Sequence, residues 1–238
     1  MEIKTDWTLT LSEEEYLCAQ PDSFRQLLDN PGLRKAFHEA LTAVQAAVEP
    51  RAAWDRFPIR EVRHDRLVVA DGVKIGGGPV VSVVGGASEL VVAVCTIGER
   101  ADQLVNAAQK AREFFRAMVL YEMSSWAVGL LRQDLCRYLE DMLRGEGLNV
   151  SAALSPGESV WSVKDQAVIF TLLDAAQIGV TLTPSLMMRP RSSLSLIMGA
   201  DRERVGRADV SNCEFCTVRD RCRYRHHIAV EPSRAPAG

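Results

Sequence analysis

The sequence predicts an α+β fold, a twisted and mainly antiparallel sheet flanked by helices and followed by a short Cys-rich C-terminal tail. Three observations predict it. Short β-branched runs separated by turn signals fill residues 57–84, a near-continuous apolar run follows at Leu90–Ile97, and a helical apolar stripe then extends from Glu99 to Arg144. Strand patterns return after that stripe, so the order is strands, helices and strands again, without regular βαβ alternation.

Taken in chain order, Trp7–Leu11 reads as a strand, and Ser12 with Glu15 three residues later forms a capping box that opens a short helix. Leu33, Phe37, Ala40, Leu41, Val44 and Val48 recur at three- and four-residue intervals, giving a second helix that Pro50 stops. Phe57–Val62, Arg66–Ala70, Val73–Ile75 and Val80–Val84 read as strands, with Asp71-Gly72 as a tight hairpin turn. Gly76-Gly77-Gly78 and Gly85-Gly86 lack the lysine-serine pair and the spacing of phosphate loops, so they read as turns.

Leu90–Ile97 has the composition of a central strand covered on both faces. From Glu99 the stripe of Leu104, Ala108, Ala111, Phe115, Met118, Met123, Trp126, Leu130, Leu131, Leu135, Tyr138 and Met142 is helical. A break is expected at Ser124-Ser125 or Gly129. Trp126 and the methionines of this stripe read as core. Asn149–Ala153 follows as a strand, and Ser162 caps a helix running to Ala176 with Asp165 in its first turn. Val180–Leu182 and Leu194–Met198 close the pattern as strands.

The 238 residues carry a formal net charge of -3, with 47% hydrophobic and 25% charged residues, which suits one large domain or a domain with a tail. No concentrated basic surface calls for nucleic acid, because the basic cluster lies in the tail. Asp6, Glu13, Glu14 and Glu15 interrupt the first thirty residues, which lack the apolar core of a signal peptide, and the longest apolar run is too short to cross a bilayer. A cytoplasmic protein without a membrane partner is expected.

The six cysteines form two groups. Cys18, Cys95 and Cys136 lie among apolar neighbours, the usual setting of buried core thiols. Cys213, Cys216 and Cys222 fall within ten residues, as a Cys-x2-Cys turn followed by a third thiol. Such spacing can converge on zinc or an iron-sulfur cluster, and Arg219, Arg221, Arg223 and Arg225 would favour thiolates there. The fourth ligand is open between His226 or His227 and a small molecule, and the composition beyond Ala229 is that of a disordered end.

The segment Ser155-Pro156-Gly157, Trp161, Asp165-Gln166, Ile178-Gly179-Val180-x-Leu182-Thr183 and Ser185-Leu186-Met187-Met188 is the most specific pattern in the chain. Together with Arg51-Ala52-Ala53-Trp54, Ala93-Val94-Cys95-Thr96-Ile97-Gly98-Glu99 and Ser124-Ser125, it resembles the activation domain of cobalamin-dependent methionine synthase over roughly residues 50 to 200. The tail resembles that of small stand-alone relatives, which carry Cys-x2-Cys-x5-Cys-Pro-Tyr-Arg. The resulting division is residues 1–50 as the N-terminal strand and helices of the main domain, 51–205 as an activation-like core, and 206–238 as the metal- or cluster-binding tail.

The resemblance implies an S-adenosylmethionine site in which Ser155, Pro156, Gly157, Glu158 and Trp161 are the contacts. It departs at two positions, since Ala153 and Glu158 stand where the family carries an arginine and a tyrosine that help hold the ligand. Ala153 offers no bidentate fork to a carboxylate, so the resemblance alone does not carry S-adenosylmethionine binding to this chain. The implied function is accessory: reductive reactivation of a cobalamin-dependent methyltransferase, with a tail iron-sulfur cluster passing electrons from a donor protein and the cobalamin carried by a corrinoid partner. The alternative is a non-enzymatic zinc adaptor that docks on a corrinoid protein. No catalytic nucleophile or general base stands out in the chain.

Overall fold

The computed structural model describes residues 1–158, 161–203, 205–207 and 214. The elements in order are β1 (Glu2–Lys4), α1 (Glu13–Cys18), α2 (Asp22–Leu27), α3 (Pro31–Ala47), β2 (Arg51–Pro58), β3 (Glu61–Arg63), β4 (Arg66–Val68) and β5 (Lys74–Gly76). Then come α4 (Val80–Val84), β6 (Glu89–Thr96), α5 (Glu99–Lys110), α6 (Phe114–Gly145), β7 (Asn149–Val150), α7 (Asp165–Leu172), β8 (Thr181–Leu182), β9 (Met188–Arg189) and β10 (Ser193–Asp201). The α+β class is as expected. A five-stranded sheet has the order β1-β2-β6-β10-β7, with a three-stranded sheet β3-β4-β5 and a two-stranded β8-β9 besides. The apolar run at Leu90–Ile97 supplies β6, the middle strand, and Leu90 to Thr96 are all buried.

Two compact units emerge, and each has its own core. The first comprises Met1–Asp55, Ala93–Tyr138 and Phe170–Ser195. Here Ser12 caps α1 by accepting the Glu15 N–H at 3.3 Å, and Asn30 caps α3 by accepting from Gly32 and Leu33. Tyr16 packs edge-on against Trp126 with centroids 5.2 Å apart and lies 5.7 Å from the Phe37 ring, so half-buried Trp126 borders an aromatic cluster of the core.

Several expectations need correction in this unit. Trp7–Leu11 is not a strand, because Gln45 serves as its neighbour: the side chain accepts from Leu11 N–H at 2.7 Å and donates to the Leu9 carbonyl at 3.0 Å. The long helical stretch breaks at Arg112, with φ 59°, and not at Ser124-Ser125 or Gly129. Arg112 N–H bonds the Gln109 carbonyl and Glu113 N–H bonds that of Ala108, a Schellman closure. Ser124 instead donates back to the Leu120 carbonyl at 2.7 Å, so α6 runs through it. Met118 and Tyr138 are exposed members of the stripe. Cys18 is also exposed, whereas Cys95 is fully buried and burial pushes its thiol up to about 12. The helix after Ser162 ends at Leu172, since Asp174 leaves helical torsions and a short 3₁₀ turn, Ala175–Ile178, closes on Gly179.

A buried hydroxyl cluster follows β6 in the same unit. Thr96 Oγ1 accepts from Gly98 N–H at 3.1 Å, donates to the Ser192 carbonyl at 3.3 Å and lies 2.9 Å from Ser193 Oγ, which also reaches the Pro190 carbonyl at 2.8 Å. Ser192 donates in turn to Asp102 at 3.1 Å.

The second unit comprises Arg56–Val92, Leu139–Ile169 and the described residues from Leu196 on. Asp71 and Gly72 both take positive φ in the turn between β4 and β5, as the hairpin reading requires. Val80–Val84 is the clearest failure of pattern: its valines suit a strand, yet they form α4. Pro79 precedes it and accepts from Val83 N–H and Ser82 Oγ, while Val80, Val83 and Val84 bury one helical face. Gly199 of β10 makes room for α4, because a β-carbon there would stand 2.8 Å from Val84 and Ala87. The expected strand at Asn149–Ala153 shortens to β7, and an isolated antiparallel bridge pairs Leu154 with Ile197 beyond it.

Candidate functional site

All five residues expected to contact a ligand lie in the second unit, in the segment that leaves the Leu154–Ile197 bridge and enters α7. Proline fixes one torsion and Gly157 takes φ 86°, so Ser155-Pro156-Gly157-Glu158 closes as a turn with Glu158 N–H on the Ser155 carbonyl at 3.2 Å. A second tie runs from Gly157 N–H to the Trp161 carbonyl at 3.0 Å. Trp161 is buried, and its indole N–H donates to Asp165 Oδ2 at 2.9 Å. The turn is thereby held at both its backbone and its largest side chain.

Asp165 is the organising group of this region. Its carboxylate is only 3% exposed and accepts from Trp161, from Gly76 N–H at 2.8 Å and from Arg66 Nη1 at 3.2 Å. The register of β4 with β5 sets Arg66 opposite Gly76, so one rung of the hairpin delivers a guanidinium and a peptide N–H to the same carboxylate. Glycine is required at that rung: φ is 139°, and a β-carbon would lie 2.9 Å from the Asp65 carbonyl. The buried charge is therefore neutralised and hydrogen-bonded.

Asp165 reads from sequence as a first-turn helix residue suited to the dipole, and Gly76 as a turn glycine. Their joint role was not legible, because Arg66 and Gly76 stand 99 and 89 residues from Asp165.

The Ser155 hydroxyl behaves differently. Ser155 is 4% exposed, and its Oγ has no hydrogen-bond partner among the described residues. A buried hydroxyl left in that state is uncommon and calls for an explanation. The Ala153 side chain has no donor, and Glu158 is half-buried at the end of the turn.

A separate cleft of about 610 Å³ in this unit is lined by Arg56, Ser88, Glu89, Glu146, Asp201 and Glu203, and holds none of the expected site residues. Several of its charged groups are paired with one another. Arg56 bonds Glu89 at 2.7 Å and Glu146 at 2.6 Å, and hydrogen bonds from Ser88 hold the Asp201 carboxyl below the usual range. Cys213, Cys216 and Cys222 lie outside the described residues. No helix among the described residues is long and apolar enough to cross a membrane.

With this geometry in view, comparison with solved structures is informative. The chain is similar to the MetH reactivation domain in a crystal structure bound to AdoHcy, with a TM-score of 0.51 and 16% identity over 77% of this chain and 67% of that one. The fold is shared with that domain. No protein-family model and no curated protein matches the chain.

Proposed function

We propose that this protein is an accessory component in the reductive reactivation of a cobalamin-dependent methyltransferase, such as methionine synthase. The observation that carries this reading is the likeness of fold to a MetH reactivation domain bound to AdoHcy. In this reading the Ser155–Trp161 turn binds S-adenosylmethionine or its demethylated product, AdoHcy. The Asp165 hub with Arg66 and Gly76 fixes the turn, and the partner carries the corrinoid. When bound, S-adenosylmethionine supplies a methyl group, while the chain contributes position and exclusion of water. Cys213, Cys216 and Cys222 would hold an iron-sulfur cluster for electron supply, with the tail a separable part of the chain.

A second reading has its own support in Ala153 and Glu158. With neither a guanidinium nor a phenol at those positions, the chain would be a zinc-binding adaptor that docks on a corrinoid protein without S-adenosylmethionine. Anaerobic purification with an ultraviolet-visible spectrum and iron, sulfide and zinc analysis separates the two. Broad visible absorption with matching iron and sulfide, lost in Cys213→Ser while the main domain stays folded, is the expected result. Zinc with a featureless spectrum, and no binding of S-adenosylmethionine, would move the assignment to the adaptor.

A further inference from the structure

Residues 114–129 of α6 belong to the first unit, and the face they turn to solvent is apolar. Phe114 is 72% exposed, Met118 44% and Tyr121 48%, and no large apolar side chain among the described residues is more open than Phe114. At spacings of four and three residues these three share one side of the helix, and exposed Ser125 and half-buried Gly129 continue the same line. The ridge is about 22 Å long. None of its five residues is charged. Beside it Glu113 and Arg116 pair with each other at 3.0 Å, so these two flanking charges offset one another.

Gly129 gives the ridge its second property. Glycine is a poor helix former, so its place inside a long helix needs a reason. The fold supplies none: a β-carbon at Gly129 would meet nothing within 4 Å, and its φ is not positive. Space left open beside a residue without a side chain admits a group from outside the fold.

The large and small residues of the ridge match each other. In an antiparallel pair of α6 helices that cross between Tyr121 and Glu122, with axes about 20° apart, Phe114 stands opposite Gly129 and Met118 opposite Ser125. A two-fold axis makes each of these contacts twice. The protruding end of one ridge therefore meets the recessed end of the other. A different protein would have to supply that pattern of large and small residues, whereas a second copy of this chain already carries it.

We propose that this protein forms a two-fold homodimer through α6, with Phe114, Met118, Tyr121, Ser125 and Gly129 as the contact ridge. A strip about 22 Å by about 10 Å on each copy falls short of the roughly 1,200 Å² total of a standard specific interface. Association is accordingly weak and concentration-dependent, with Kd on the order of 10 μM. This assignment is independent of the corrinoid reading.

Sedimentation equilibrium of the whole chain, in a thiol reductant that removes disulfide-linked species, tests this between about 1 and 200 μM. The wild-type mass should climb from that of one chain toward that of two. Phe114→Glu and Gly129→Gln should each weaken association at least tenfold. Gly129→Gln has a second readout: it improves the helix in open space, so the Tm at the lowest concentration should rise by about 2 °C while the dimer is lost. A residue that only supported the fold would move both readouts in the same direction. Met118→Lys and Ser125→Glu should each weaken the pair singly. Together they should restore it in a salt-sensitive form, since the antiparallel register sets lysine opposite glutamate twice.

A chain that stays monomeric across this range overturns the proposal and leaves the face to a different protein. A dimer that Phe114→Glu and Gly129→Gln both leave intact also overturns it, because the contact then lies elsewhere. If the combined Met118→Lys and Ser125→Glu variant remains as weak as its parents, the antiparallel register fails, and with it the assignment to a second copy.

Discussion

The second unit's Asp165 region and the first unit's Thr96 cluster both bury polar side chains beside a strand, but they are finished differently. Around Thr96 the named hydroxyls meet protein partners: Ser192 on Asp102, Ser193 on Thr96 and Pro190, and Thr96 on the Ser192 carbonyl. Around Asp165 the carboxylate is saturated while the neighbouring Ser155 hydroxyl is left over. A completed network holds the chain in place, whereas a buried hydroxyl with no partner among the described residues loses its hydration without a replacement bond.

The largest expected effect lies at the centre of the second region. Asp165→Asn preserves size but keeps a single acceptor: with the amide oxygen on Trp161 and Gly76, the NH₂ faces the Arg66 guanidinium, itself a donor. The buried carboxylate is the common acceptor of the turn and the hairpin, so its loss should cost roughly 3 kcal/mol in denaturant unfolding. A cost below about 1 kcal/mol would mean that the turn is held by its backbone bonds alone, and the contrast with Thr96 would lose its basis.

An intermediate effect is expected in the first region. Thr96→Val is nearly isosteric and leaves Gly98 N–H, the Ser192 carbonyl and Ser193 Oγ each short of a partner. About 1–3 kcal/mol of destabilisation follows from stranding buried groups. A neutral Thr96→Val would show that the completed network contributes nothing beyond shape, and equilibrium unfolding with both variants measured side by side decides it.

The difference between these regions also marks what could be read from the sequence. Local signals held where the deciding groups were close in the chain: Ser12 with Glu15, Asp71-Gly72 and the apolar run of β6 formed as expected. They failed where a distant residue intervened. Gln45 replaced a neighbouring strand for Leu9 and Leu11, and Gly199 made room for α4 where four valines suggested a strand. The turn at Ser155-Pro156-Gly157 was visible through its proline and glycine. Its support was not, because Arg66 and Gly76 reach Asp165 only through the hairpin register. A missing hydrogen bond, finally, belongs to the packed structure and leaves no trace in a string of residues.

The smallest expected effect is also the sharpest, because it uses one chemical change in both regions. Ser193→Ala removes a hydroxyl bonded to Thr96 and to the Pro190 carbonyl, so it should lower unfolding free energy by about 1 kcal/mol. The same deletion at Ser155 removes a hydroxyl with no partner among the described residues and should raise it by a similar amount. Both serines are buried to a similar degree, at 3% and 4% exposure, so the transfer of the side chain out of water largely cancels between them. What survives in the comparison is the hydrogen bond. Denaturant unfolding of the two variants and the parent, in the absence of ligand, should therefore bracket the parent from both sides. If both substitutions destabilise, Ser155 is satisfied within the folded protein like its counterpart in the first unit, and the turn is a finished piece of scaffold.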